Sequence, residues 1–234
     1  MGDYALRLSE SEMARYQGMA QRARQRPPSP HRGSSTRAGD TPRYKQTVLD
    51  VLCAYLRRPF THPSYTSRGD DPDQVTPDSS DSSEADRERQ VRLTAQRLIT
   101  DLLPWGQNPD PRAYHLDLTG ASLEYFRLEG RRIGHLTVRR TRFYGITRLS
   151  EVHASKPALF TGAALLGRVE LREAQFEGGL SFQKTSFSGE VAFEGASVSA
   201  FIDLNTTAPE QQTGTLTITE GTKVKGDASR WALA

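Results

Sequence analysis

From Gly134 to Leu204 the chain repeats itself every eleven residues. The units begin at Gly134, Gly145, Lys156, Gly167, Gly178, Gly189 and Ala200, and their columns stay in register. The fifth column reads Val138, Leu149, Phe160, Leu171, Phe182, Phe193 and Leu204. The tenth reads Phe143, Ala154, Leu165, Phe176, Phe187 and Val198. A short fixed period means like units stacked along an axis, each in contact only with its neighbours. Such a chain cannot also wrap around a deep catalytic cleft over the same residues.

Within each unit the apolar residues fall at positions three, five and ten, and a small residue is usual at eight, as in Ala163, Ala174, Thr185 and Ala196. Positions two apart point to one side of an extended segment. Each unit is therefore two short straight segments with apolar residues inward, joined at corners. Gly145, Gly167, Gly178 and Gly189 stand at corners, where they are expected to supply backbone freedom. Stacked units bury ladders of equivalent side chains, here Phe160, Leu171, Phe182, Phe193 and Leu204 together with Leu165, Phe176 and Phe187.

Upstream the period is five: Leu118, Leu123, Leu128, Ile133, Val138 and Phe143 follow at equal intervals. Leu116-Asp-Leu-Thr-Gly120 and Ala121-Ser-Leu-Glu-Tyr125 have the form small or apolar, polar, Leu, any, any. This pattern resembles the pentapeptide-repeat family, and the eleven-residue version is similar to that of its actinobacterial members. The resemblance implies a mainly β fold, a right-handed quadrilateral β-helix, with residues 116–204 forming four to five coils. A segment around Gly214–Gly221 would add a partial coil after an insertion at Pro209–Thr213.

Two amphipathic helices precede the repeats. Thr41 as N-cap and Pro42 in the first turn open one, Tyr44, Val48, Val51, Leu52 and Tyr55 form its stripe, and Pro59 ends it. The other runs from Ser83 to Leu103, with Ser83 as cap, Glu84 and Asp86 in its first turn, and Val91, Ala95, Leu98 and Leu102 as its stripe. The runs Val51–Phe60 and Arg89–Leu98 also resemble the paired helices that precede the repeats in that family. A β-helix exposes an unpaired strand edge and an apolar core at each end. The helices are placed to form a small α-helical cap over the first.

The domain reading is then an N-terminal arm over 1–41, two helices over 42–104 joined by an acidic, Ser-rich linker at 61–82, and a β-helix over 105–234 with an irregular C-terminal end. In the arm, a short helix is expected between Ala5 and Arg24, followed by a basic linker at 25–40. Met1–Arg7 has no apolar leader core, and the longest apolar stretch, Val48–Leu56, is far too short to span a bilayer. One cysteine, Cys53, excludes an intramolecular disulfide and suits a reducing compartment. The chain is expected to be a cytoplasmic bacterial protein without a membrane span.

The sequence carries few groups placed for chemistry. His31, His62, His115, His135 and His153 are not at metal-ligand spacing, and no nucleophile elbow, phosphate loop or paired carboxylates stand out. No enzyme activity, cofactor or metal is expected. Arg127, Arg132, Arg139, Arg140, Arg142 and Arg148 concentrate on the first coils as a candidate basic patch, while glutamates dominate the later ones. Arg131 falls on a column that normally faces inward. The leading reading is a non-catalytic scaffold whose rigid faces dock a protein. Two alternatives are an acidic partner held by the basic first coils, and a DNA-mimicking protein that interacts with gyrase, as the resemblance allows. Residues 116–204 hold ten acidic and eleven basic side chains, which does not imitate DNA. Nucleic acid is disfavoured as a partner, because aromatic platforms are not interleaved with the arginines.

Overall fold

Successive circuits of the chain lie directly on one another. In the computed structural model, which describes residues 42–66, 84–106 and 112–234, Leu116 pairs in parallel with Leu136, Leu136 with Ala158, Ala158 with Leu180, Leu180 with Ile202, and Ile202 with Val224. The first step is 20 residues and each later one 22. A coil is thus four five-residue units at the start and two eleven-residue units thereafter. The strands assemble into four parallel sheets, giving a four-sided solenoid of about five turns.

The first face stacks Leu116–Asp117, Leu136–Thr137, Ala158–Leu159, Leu180–Ser181, Phe201–Asp203 and Lys223–Lys225. The second stacks Ser122–Glu124, Arg142–Tyr144, Ala164–Leu165 and Ser186–Phe187. Thr147–Arg148, Val169–Glu170, Val191–Ala192 and Gln212–Thr213 form the third. The fourth runs from Arg132–Ile133 through His153–Ala154, Gln175–Phe176 and Ser197–Val198 to Thr217–Ile218. The solenoid and the two helices before it belong to one compact unit, residues 43–234. The expected arm helix, the basic linker, Ser83 and most of the 61–82 linker lie outside the described residues.

Two kinds of corner alternate around each coil. Between the first and second faces, and between the third and fourth, the amide of the eighth residue bonds the carbonyl of the fifth, as Ala163 to Phe160 and Ala196 to Phe193, both at 2.8 Å. The seventh residue there is left-handed: Arg140, Glu151, Gly162, Glu173, Lys184 and Gly195. This is the signature of a type II turn. The other two corners work differently. Gly145 has a φ of 67°, but Gly167, Gly178 and Gly189 do not have positive φ. Their need for glycine is spatial: an added Cβ would lie 2.5 Å from the Gly145 carbonyl oxygen, 2.2 Å from the Lys156 carbonyl carbon and 2.6 Å from that of Gly167. Close approach of successive coils, rather than backbone freedom, fixes those three.

A 22-residue coil splits each sequence column into two ladders on opposite sides. Val138, Phe160, Phe182 and Leu204 line one corner, and Leu149, Leu171 and Phe193 the opposite one, all buried. The Phe160 and Phe182 rings lie 5.5 Å apart. Leu165 and Phe176 are buried on the second and fourth faces, and Phe187 is half-buried. Each full side chain so buried contributes ~1.5–3 kcal/mol. Thr141 and Thr185 take the small eighth position, and their hydroxyls donate to the Leu118 and Phe160 carbonyls at 2.7 and 2.8 Å. A polar group in the core is thereby satisfied.

The helical cap consists of α1 (Pro42–Leu56) and α2 (Glu84–Leu102). The buried stripe of α1 is Leu49, Leu52, Cys53 and Leu56. The expected stripe is rotated away from this one: Tyr44 is 73% and Val51 42% exposed. On α2 the inward face holds Ala95, Leu98 and Ile99, but also Arg92 and Gln96. Arg92 is 2% exposed, and its guanidinium lies over Phe60 and donates to the carbonyls of Leu56 and Arg58 at the end of α1. A cation there also meets the negative end of the helix dipole.

The cap meets the first coil on every side. On the first face the Gln46 amide bonds reciprocally with the His115 backbone, giving and taking a hydrogen bond at 2.9 Å each. On the second, Gln96 accepts from the Glu124 amide at 3.2 Å. Thr100 donates to the Arg127 carbonyl at 2.7 Å on the third, and the Arg132 amide reaches Pro104 at 2.9 Å on the fourth. Edge groups that would otherwise recruit another strand are thereby occupied. Arg131 is accommodated by the same junction: its guanidinium sits 4.7 Å from the Trp105 ring centre and donates to the Leu103 carbonyl at 3.1 Å.

The far end closes with the chain's own tail. The register step falls to 21 from Val191 to Gln212 and to 20 from Ser197 to Thr217, so the last coil is locally shortened rather than enlarged by an insertion at Pro209–Thr213. The second face gains no further strand above Ser186–Phe187. Trp231 fills that space, stacked on Phe182 at 5.6 Å and edge-on to Phe187 at 5.8 Å. Gln212 holds the tail through Arg230 and Ala232, both at 2.9 Å.

Candidate interaction surface

Because a coil is two eleven-residue units, alternate units face opposite sides. Residues 134–144, 156–166 and 178–188 form the first and second faces, and 145–155, 167–177 and 189–199 the third and fourth. The first set carries Arg139, Arg140, Arg142, Lys156 and Lys184 and not one carboxylate. The second carries Glu151, Glu170, Glu173, Glu177, Glu190 and Glu194 against Arg148, Arg168 and Arg172. Charge is sorted across the width of the solenoid, net +5 on one side and −3 on the other over these units.

The six arginines of the candidate patch therefore do not form one surface. Arg139, Arg140 and Arg142 lie together, exposed, at the turn from the first to the second face. Arg127 pairs with Glu129 at 2.7 Å, and Arg148 on the third face lies 3.5 Å from Glu170. Arg132 is on the fourth face, 3.5 Å from the Gly106 carbonyl. Lys156 and Lys184 join the first three and are missed when the arginines are read along the chain. Their signal is present in the sequence as acid-free alternate units, which only the 22-residue coil brings to one side.

The carboxylates on that side in the first coil are neutralised by the cap. Asp117 pairs with Arg57; desolvation raises its pKa, but the Thr119 hydrogen bonds and that guanidinium together outweigh it and hold the carboxyl below the usual range. Glu124 is buried and gripped by Arg89.

Two other arrangements bear on chemistry. His62 lies between Asp86, 2.9 Å from Nε2, and Ser64, whose Oγ is 2.5 Å from Nδ1. Nδ1 also accepts from the Ser64 amide at 3.2 Å, which assigns the Nε2 proton to the Asp86 side. The imidazole packs by Phe60 and Tyr65, and Tyr65 stacks on Tyr144 at 4.0 Å. The set fastens the turn Pro63–Thr66 to the second face. Between α2 and the first coils lies a groove of about 600 Å³, lined by Arg97, Asp101, Trp105, Arg127, Glu129 and Glu151 among others. Its charges are of both signs. Among the described residues no group of three or more His, Cys, Asp or Glu side chains could hold a metal ion, and no helix is long and apolar enough to cross a membrane.

These features define a class, the parallel four-sided β-solenoid with a small helical cap. Residues 139–186 match the family model for pentapeptide repeats, in nine copies. No curated protein and no solved structure matches the chain.

Proposed function

We propose that this chain is a non-catalytic scaffold that docks a protein partner on the solenoid faces. The observation that supports this reading is the sorting of charge onto opposite sides of a rigid stack, which makes each side a distinct, flat recognition surface. The 42–104 helices act on this reading as a closure for the 105–234 solenoid, and the 1–41 arm as an accessory segment. A lone buried cysteine suits a reducing cytoplasm.

The test is affinity capture from the native host with and without residues 1–41, followed by hydrogen exchange on the captured complex. Protection confined to strands of one or two adjacent faces supports docking. Protection of the cap alone overturns it. The DNA-mimicking reading asks for a continuous negative surface, and the acid-free units 134–144, 156–166 and 178–188 on the first and second faces argue against it. A gyrase supercoiling assay decides that point, since inhibition at low stoichiometry would restore it.

A further inference from the structure

We infer that the docking surface is the part of the first and second faces built from residues 134–144, 156–166 and 178–188, which carry no carboxylate and lie between Asp117 and Glu124 of the first coil and Asp203 of the last, and that the partner it takes is an acidic polypeptide. This rests on the scaffold reading above and adds to it the side used and the chemistry recognised. Arg139, Arg140, Arg142, Lys156 and Lys184 are all exposed. Among the described residues none of the five is in an ion pair, whereas on the other side Arg148, Arg168 and Arg172 all lie against glutamates. The five charges are therefore uncompensated.

The layout fits a chain of carboxylates. Arg139 and Arg140 stand at one turn and Arg142 opens the adjoining strand, and Lys184 stands two coils further on, about 10 Å at the usual strand spacing. Thr161 and Ala164 lie on the coil between them, and Gln183 and Ser186 flank Lys184, so that small and hydrogen-bonding side chains separate the charges. Guanidinium forks match carboxylates in paired hydrogen bonds. The glutamates of the third and fourth faces repel the same partner, so docking is one-sided.

Nucleic acid fits less well. Tight duplex binding commonly engages about 6–10 phosphates, more than five cations on one flat side can neutralise. Single strands ask for free aromatic platforms. The aromatic beside Arg142 is Tyr144, and its ring is already stacked against Tyr65.

The experiment titrates the full chain with a fluorescein-labelled oligo-L-glutamate, read by anisotropy at about 50 and about 200 mM salt, beside a short duplex DNA of equal charge. The variant is Arg139→Gln/Arg140→Gly/Arg142→Gln, with glycine at 140 because φ is 54° there. The expected result is salt-sensitive binding of the oligo-glutamate, weakened at least about ten-fold in the variant, with Glu151→Gln/Glu173→Gln on the opposite side leaving it unchanged or tighter. If the triple variant fails to fold, Lys156→Gln/Lys184→Gln must weaken binding in its place. Absence of binding by the parent chain, equal binding by the folded variants, or tighter binding of the duplex overturns the inference. A host protein captured equally by parent and variant would leave the scaffold reading standing and sink this one.

Discussion

Arg89 of the cap grips Glu124 of the first coil through two parallel hydrogen bonds, Nε to Oε2 at 2.9 Å and Nη2 to Oε1 at 2.8 Å. The Glu124 side chain is 1% exposed. A charge that deep is costly unless held, so the bridge fixes where the helices sit more than it adds stability. Arg89→Ala is expected to cost about 3–5 kcal/mol in urea unfolding, and Arg89→Ala/Glu124→Gln to recover part of it. The Cys53 thiol reports on the same junction: burial pushes its pKa up to about 12, which makes it inert while the cap is closed. Thiol labelling should be slow in the parent chain and faster in Arg89→Ala. Equal labelling rates would show that the bridge does not hold the cap.

Phe182 sits in the ring ladder above Phe160 and under Trp231. Phe182→Ala should cost ~3–5 kcal/mol, the usual range for emptying such a site. An unchanged melting temperature would contradict its inward position.

The left-handed turn position separates glycine from other residues. Gly195→Ala, at φ 68°, should destabilise by about 1–2 kcal/mol. Lys184→Gly, at φ 54°, relieves the same strain but loosens the unfolded chain, so its net effect should fall within about 1 kcal/mol of zero. Denaturant midpoints of the two variants check the contrast.

His115 supplies a pH dependence. Burial lowers its pKa below the ordinary imidazole value of about 6.5, and the nearby His135 and Lys156 push the same way against Asp50. Its Nδ1 also accepts the His135 amide at 2.9 Å, a bond the protonated ring cannot accept. The folded state thus binds the proton more weakly than the unfolded one, and stability falls as pH drops below about 6.5. Melting temperatures of the parent and of His115→Gln, compared between pH 8 and pH 5, should converge toward the acid end if this group is responsible.

Much of the fold is legible in the sequence because each strand is short and its partner lies one period away. The columns that hold Phe160, Leu171, Phe182 and Phe193 need no knowledge of distant contacts. What escapes needs the circumference of the coil. Arg139 and Glu151 are twelve residues apart in sequence yet fall on opposite sides, and that follows only once two units are known to make one turn. On α1 the spacing of Leu49, Leu52, Cys53 and Leu56 is the helical i, i+3, i+4, i+7 series, but the larger Tyr44 and Val51 compete for the same reading. Arg92 and Glu124 look like surface charges by letter alone. Their burial follows from α1's open carbonyls and the coil's open edge, neither of which a single helix or strand pattern contains. Gly167 and Gly178 are identical by letter to a turn glycine, although what they avoid is a neighbouring backbone.

The two-units-per-circuit construction also sets a rule of parity for how such a chain can grow. Duplicating 22 residues in mid-stack would lengthen the body and leave every later charge where it was. Duplicating eleven would turn everything downstream through half a revolution, carry Lys184 round to the glutamate flank, and deliver the closing tail to the wrong walls.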